Sequence, residues 1–393
     1  MNQHPRVLLL IPHLGGGGAE KVIALLARHL SREKYELHLC LATQAAATLA
    51  LMPPFNLPAE IGIHALGCAR VLFSAPRLLL LVRRLRPRII LCGIFHLSFL
   101  VLLLRPFFAR PFTAGRVRVL IRQNGALAAG AHPALHRLLY RALYPRADTI
   151  ICQSLAMASE LARELDLPPA RLIVLKNPVD LEAIRSTAEQ SPDPITEPSL
   201  AGPWPSLVAI GRLSREKGFH LLLEALSLVR QSFPGAGVVI AGTGPELLAL
   251  EAQVCRLGLS EAVRFTGALP EPATLFRAAS IYVLSSVQDA MPNALLEAAA
   301  AGLPIVATPA SAGLVDLLRG QPGVWLAADA SAKALAEALL MAMNQLAPGQ
   351  RFAHPFIESF GLRPAIEAYE ALMDRVLETM AAPLARFGPG PGP

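Results

Sequence analysis

Residues 285–318 read SSVQDAMPNALLEAAAAGLPIVATPASAGLVDLL, and the rest of the chain is organised around them. The apolar run 281–284 that precedes them has the composition of an interior parallel strand. Residues 285–291 are a polar loop. Pro292 suits the first helical position, where no N–H is required and φ is already set. Residues 293–301, rich in Ala and Leu, predict a helix that Gly302 and Pro304 stop. Residues 303–307 predict the next buried strand. Two strands joined through a helix form the repeat of a parallel α/β sheet.

This repeat carries two acids, Asp289 in the loop and Glu297 one turn into the helix, with seven residues between them. A helix N-terminus presents unpaired N–H groups and a positive dipole end, a natural seat for a diphosphate. An acid in the first turns reaches neutral hydroxyls beside that diphosphate, such as those of a ribose. The loop acid reaches a sugar in front of it. For such a pair in isolation, an acidic cap on the helix dipole is the plainer reading.

A second cluster narrows the choice. The strand expected at 207–210 runs into Gly211-Arg212-Leu213-Ser214-Arg215-Glu216-Lys217-Gly218. Arg212 and Lys217, five apart across the loop, can hold two sides of a pyrophosphate, the first as a planar fork and the second as a point charge. At the amino end, a strand at 7–11 meets four glycines at 15–18 and an amphipathic helix at 19–30. Gly16 and Gly17 let backbone amides approach a ligand closely. A dinucleotide fingerprint is excluded, because Glu20 occupies the position of its third glycine.

Together these segments resemble the retaining nucleotide-sugar glycosyltransferases of family 4, whose fold is GT-B. The family pattern S-x-x-E-G-x-P-N-x-x-x-E-A-x-A-x-G-x-P-V-V-A is followed from Ser286 to Ala307, with Ile305 in place of its first Val and two departures beside the first acid. Asp289 replaces the first Glu, and Ala290 replaces the following Gly. Asp289 keeps the charge but reaches roughly one carbon less. G-R-L-x-x-x-K-G at 211–218 is the family's second hallmark, and GGAEKV at 17–22 resembles its amino end. The resemblance implies two Rossmann-like domains facing across a cleft, with the donor on the second domain and the acceptor mainly on the first. Arg212 and Lys217 would bind the donor diphosphate, Glu297 the ribose and Asp289 the sugar. Further donor contacts would come from Gly211, Ala290, Met291, Pro292, Asn293 and the amides near Leu295 and Leu296. Gly242 and Gly244 would lie beside the nucleotide, and Leu269 would pack on the base.

The first domain offers fewer signals. Further strands are expected at 37–41, 61–66, 89–91, 117–121, 149–152 and 172–175. Ligands gather beyond the carboxyl ends of strands in open parallel sheets, which makes His96 a candidate catalytic group and Arg122 and Asn124 candidate acceptor contacts. The expected organisation is an acceptor-side domain at 1–185, a linker rich in Pro and Ser at 186–205, and a nucleotide-sugar domain at 206–354. A helical crossover at 355–385 and a disordered tail at 386–393 complete it. In the loop after Ala307, Asp316 is expected to start the next helix.

Composition bounds the function. The chain has 393 residues, more than one core normally spans. Its mean hydropathy of +0.45 is high, but the apolar window 89–104 is shorter than the roughly 20 residues a membrane span needs. No secretory signal is visible, and five scattered cysteines do not suggest disulfides or a metal set. A cytoplasmic protein, peripheral on the inner membrane face, is expected. The net charge of +7, with arginines concentrated in the first third, favours anionic partners. No aromatic-interleaved basic motif points to nucleic acid.

The expected reaction is transfer of a hexosyl or N-acetylhexosaminyl unit from a UDP-linked donor to a glycan or polyprenyl-linked acceptor. No metal and no cofactor are expected, since no D-x-D pair is present. Two other classes fit the same residues: a sugar-nucleotide epimerase or hydrolase of the same architecture, and a non-catalytic sugar-nucleotide-binding protein at the membrane surface.

Overall fold

The computed structural model describes residues 4–15, 17–43, 57–108, 117–125, 133–189, 206–269 and 273–381. Two parallel sheets, each flanked by helices, make up the architecture. In the first, β1 (Arg6–Ile11), β2 (Glu36–Thr43), β3 (Gly62–Cys68), β4 (Ile89–Cys92), β5 (Arg118–Arg122), β6 (Thr149–Cys152) and β7 (Leu172–Val174) are arranged β3-β2-β1-β4-β5-β6-β7. In the second, β8 (Ser206–Ile210), β9 (Gly237–Ala241), β10 (Val263–Gly267), β11 (Ile281–Leu284), β12 (Ile305–Ala307) and β13 (Val324–Leu326) are arranged β10-β9-β8-β11-β12-β13. All recorded pairings between these strands are parallel.

The central strands are apolar throughout because helices cover both faces of the sheet. In β1, Leu8 and Leu10 pack with Ile90, Cys92 and Val119 on one face. Val7, Leu9 and Ile11 pack with Ile89, Leu91 and Leu120 on the other, as the two-residue period of a strand requires. That second face also receives Ile366, Tyr369, Leu372 and Met373 from the last helix, Leu362–Ala381. The carboxyl-terminal helix therefore crosses back onto the first sheet. Polar contacts fix it there: Glu370 accepts from the Ser31 amide at 2.8 Å and from Lys34 at 2.9 Å, and Tyr35 bonds Asp374. At the crossing, Val179 pairs with Gly361.

In both sheets the strand order reverses once, between β1 and β4 in the first and between β8 and β11 in the second. Loops leaving the carboxyl ends of adjacent strands diverge at such a point and leave a crevice for ligands. The chain's Gly-rich turn and His96 follow β1 and β4. The Arg212–Lys217 loop and the Asp289 loop follow β8 and β11.

Three local expectations differ from the structure. Residues 186–189, expected as linker, continue the helix Leu181–Glu189, whose Leu181 and Ile184 are buried and whose Ala183 amide is bonded by Asp180. Pro292 is the N-cap of the helix Asn293–Ala300, with ψ of 121°, rather than its first residue. Ser311, not Asp316, caps the helix Ala312–Leu318, its hydroxyl accepting from the Leu314 amide. Gly16, most of the expected linker (190–205) and the tail at 386–393 lie outside the described residues.

Candidate functional site

The second-sheet crevice is built by strapping two loops together. Ser285 Oγ donates to the Lys217 carbonyl at 2.9 Å, and the Val287 amide donates to Glu216 O at 2.8 Å. From the other side, Thr308 Oγ1 donates to Ser286 O at 2.6 Å and the Asp289 amide to Ala310 O at 3.2 Å. Gly218 is required at the crossing. Its φ is +64°, and a Cβ there would sit 1.9 Å from the Ser285 carbonyl oxygen. The straps bring Lys217 Nζ to 2.5 Å from Asp289 Oδ2, with both side chains largely buried. Ile210, Phe219, Ser286 and Pro292 wall the small pocket they share.

A larger cavity of about 420 Å³ lies between the helix Ala312–Leu318 and β13. Arg319 is the charged side chain of its lining, which holds none of the acids or lysines of the small pocket.

Glu297 projects from the first turn and a half of Asn293–Ala300 and is 5% exposed. Its partner comes from the other domain: Lys21 Nζ donates to Glu297 Oε1 at 2.6 Å. Beside it, Asn293 Nδ2 donates to Gly18 O at 2.7 Å. The turn at 17–18 and the start of the first helix therefore face the acid-bearing helix directly. Arg212 is exposed on this cleft, and its charge reaches the buried Glu20 of the first domain. Burial pushes the Glu20 carboxyl above its usual range, while His13, 3.7 Å away, and Arg212 pull it back.

Of the remaining predicted residues, Gly211 and Gly242 pack loop against loop. A Cβ on Gly242, whose φ is +145°, would meet Gly211 O at 1.9 Å. Gly244 lies in the same turn, and Leu269 follows β10, partly buried against the second core. Ala290 and Met291 are buried. The amides of Leu295 and Leu296, expected to face the leaving diphosphate, both donate to Pro292 O, at 3.2 and 3.3 Å. Pro292 is the N-cap, and its carbonyl accepts from the amides of the first helical turn, which is why these amides are engaged. His96 sits in the first turn of Phe95–Leu104, next to Phe95. Burial and the nearby His13 lower its pKa, so the ring is neutral at pH 7.

Arg122 does not face an acceptor. It is 2% exposed, and its guanidinium donates to Asn124 and, at 2.5 Å, to Asn177 Oδ1. Asn124 in turn bonds Gly93 O and receives Gln153. Asn177 Nδ2 reaches Asn293 Oδ1 at 2.7 Å and Met291 O at 3.3 Å. Arg122 and Asn124 therefore brace the junction between the domains: the strand end that exposes a backbone edge also lies where the segment at 177 returns.

Sequence reading missed Lys21, Glu20 and Asn177. Lys21 and Glu20 lie inside GGAEKV, at the start of the helix expected at 19–30, and a cation one helical turn from the glycines was the available signal.

Residues 16–183 match the family described as "Glycosyltransferase Family 4", and residues 204–345 match "Glycosyl transferases group 1". The chain belongs to glycosyltransferase family 4. Among curated relatives, the N-acetylgalactosamine-N,N'-diacetylbacillosaminyl-diphospho-undecaprenol 4-alpha-N-acetylgalactosaminyltransferase of Campylobacter jejuni is 26% identical, over 79% of this chain and 82% of its own. The D-inositol 3-phosphate glycosyltransferase of Corynebacterium urealyticum is 28% identical, but the match spans half of each protein, 51% of this chain and 50% of that one. Among solved structures, Anabaena HepE in complex with UDP and glucose superposes with a TM-score of 0.75 at 17% identity, over 95% of this chain and 100% of that one. Sucrose-phosphate synthase from Thermosynechococcus elongatus gives 0.75 at 16%, over 96% and 100%. At these identities the structural likeness establishes the GT-B fold.

Proposed function

We propose that this family 4 protein transfers a hexosyl or N-acetylhexosaminyl unit from a UDP-linked sugar to a hydroxyl of a glycan or polyprenyl-linked saccharide, with retention at the anomeric carbon. The observation that carries the reading is the convergence of Lys217, Asp289 and Glu297 at the second-sheet crevice, opposite Lys21.

In the reaction, the bond from the anomeric carbon to the diphosphate oxygen breaks and a bond to the acceptor oxygen forms. The acceptor proton ends on the diphosphate. Negative charge develops on the leaving group, so fixed cations aimed at it stabilise the transition state. Arg212 and Lys217 supply that charge, and we propose that no metal is needed. Glu297 accepts from the ribose hydroxyls, and Asp289 orients the sugar. His96, neutral and at the first-sheet crevice, faces the acceptor side. The acceptor class follows the Campylobacter relative, whose name specifies a diphospho-undecaprenol-linked saccharide. A cytoplasmic site of action, on the inner membrane face, is part of the same proposal.

Calorimetric titration with UDP and with GDP, each with and without EDTA, tests the reading beside a Glu297→Ala control. Saturable UDP binding that ignores EDTA and is lost in the variant is the expected result. If neither nucleotide binds, the donor assignment fails. UDP-sugar binding without turnover on any acceptor would favour a non-catalytic binding protein, and a free epimerised or hydrolysed sugar would favour an epimerase or hydrolase.

A further inference from the structure

Residues 61–147 contain fourteen arginines, no lysine, and neither aspartate nor glutamate. The whole chain carries only +7, so the remainder is net negative and the positive charge is segregated into this segment. Net charge alone would describe solubility; segregation describes a surface.

The fold puts much of that segment on one side of the first sheet. The short turn Val71–Ser74 and the helices Ala75–Leu85, Phe95–Leu104 and Pro133–Leu143 pack against one another there. Along Ala75–Leu85, Leu78, Val82 and Leu85 are buried, which turns Arg77, Leu80, Arg83 and Arg84 outward. Leu80 is 66% exposed, Leu72 and Phe73 in the preceding turn are 67% and 62%, and Phe107 beyond the next helix is 55%. Large apolar side chains this exposed, on adjacent elements, mark a contact surface rather than scattered surface residues. Arg83 donates to the Phe107 carbonyl at 3.4 Å and Arg77 to that of Leu66. These two arginines thus rest on backbone carbonyls, whereas Arg105, two residues before Phe107, is paired with Asp148 at 2.7 Å.

We infer that this face docks on an anionic phospholipid bilayer. Arginines flanking apolar side chains form the pattern of an interfacial surface: the apolar groups enter the headgroup boundary and the cations meet lipid phosphates. Among the described residues no helix is long and apolar enough to cross a membrane, so the contact is peripheral. Its geometry also serves the cleft. The helix that approaches the patch at Leu103, just before the turn that carries Phe107, begins at Phe95 and His96, beside the first-sheet crevice. A lipid-linked acceptor could then reach the cleft without leaving the bilayer. That last step rests on the acceptor class proposed above, whereas the docking itself does not.

The test is sedimentation of the purified full chain with vesicles of phosphatidylcholine, alone or mixed with phosphatidylglycerol, at low and high salt. UDP titration of the same preparations runs alongside. Binding to the anionic vesicles only, weakened by salt, is expected. Arg77→Gln/Arg83→Gln/Arg84→Gln should reduce partitioning by about fivefold per arginine. Leu72→Ser/Phe73→Ser should abolish what binding survives high salt. Both variants should bind UDP as the parent does.

UDP binding without sedimentation at low salt would overturn the docking proposal and leave the donor site standing. Sedimentation without UDP binding would do the reverse. Equal binding to neutral vesicles, or loss by Leu72→Ser/Phe73→Ser of a dimer that does not sediment, would also overturn it, the latter in favour of self-association.

Discussion

Lys21, from the first helix of one domain, and Glu297, from the cleft helix of the other, meet at 2.6 Å across the crevice. The carboxylate is buried and the lysine is more than a third exposed, so solvent screens the pair only from one side. Removing the lysine leaves a desolvated charge without its partner, which costs more than removing both charges. Lys21→Met is therefore expected to destabilise the chain by about 1–3 kcal/mol, and Lys21→Met/Glu297→Gln by less. Urea unfolding of the two variants decides this. A double variant as unstable as the single one would mean that Glu297 is held by something other than Lys21.

Lys217 and Asp289 are a second pair, and they divide the proposed donor between them. If Lys217 meets the diphosphate, Lys217→Ala loses a charge-assisted hydrogen bond worth about 1.5–3 kcal/mol, or roughly 10–150-fold in UDP affinity by calorimetry. Asp289→Asn removes the competing partner of Lys217, so UDP should bind at least as well as to the parent. Turnover of a UDP-sugar should nevertheless fall on the order of 100-fold, because the sugar loses its anchor. Asp289→Glu should retain most activity. UDP binding that weakens in Asp289→Asn would place the aspartate at the diphosphate instead.

How much of this was legible follows from which forces are local. The strands at 7–11, 89–91, 149–152 and 281–284 were readable because an interior parallel strand must be apolar on both faces. The Asp289–Glu297 and Arg212–Lys217 pairs were readable because each is closed within one loop and helix. Lys21 was not, since its partner is 276 residues away and the glycine turn beside it, the one local signal, does not say what Lys21 meets. Arg122 was placed at the correct strand end but given the wrong partner. Its burial comes from the return of Asn177 and from Tyr369, which lies beside it on the crossing helix. Ser311 outranked Asp316 as a cap for a local reason that the sequence did show: a hydroxyl three residues before a helical amide satisfies it at once.

Gly313 and Ser154 form the outer contact between the domains, where the helices Ala312–Leu318 and Leu155–Leu165 approach each other. A Cβ on Gly313 would lie 2.4 Å from Ser154 Oγ and 2.7 Å from Ser154 Cβ. The hydroxyl cannot simply rotate away, because it caps its own helix through the Met157 amide at 3.2 Å. Gly313→Ala should therefore part the domains by a fraction of an ångström or more and lower kcat/KM for transfer by on the order of 10–100-fold. Gly313→Ala/Ser154→Gly, which removes both clashing atoms, should recover most of it. Kinetics of the two variants, with thermal melts to show that both fold, separate a closure effect from misfolding. A single variant with parental kinetics would mean that this contact does not set the catalytic geometry.

His354 gives the stability a sign with pH. It is 3% exposed, its Nε2 lies 2.8 Å from the Leu303 carbonyl, and the rings of Phe352 and Phe356 cover it. The neutral ring donates to that carbonyl. Burial lowers its pKa below the ordinary value of 6.5, with the carbonyl partly opposing. Its contribution is complete above pH 6.5 and is lost as pH falls toward the folded value, since only the unfolded chain takes up the proton. His64, His96 and His220 are shifted the same way by burial. Glu20 acts oppositely, its raised pKa favouring the fold below 4.5 and ceasing to do so as pH rises through its folded value. Unfolding free energy should thus fall between pH 7.5 and 5.5. In His354→Gln, whose amide can still donate to Leu303, the slope should be shallower by up to about 1.4 kcal/mol per pH unit. Parallel curves for parent and variant would show that His354 protonates alike in both states, and the acid sensitivity would then belong to the other histidines.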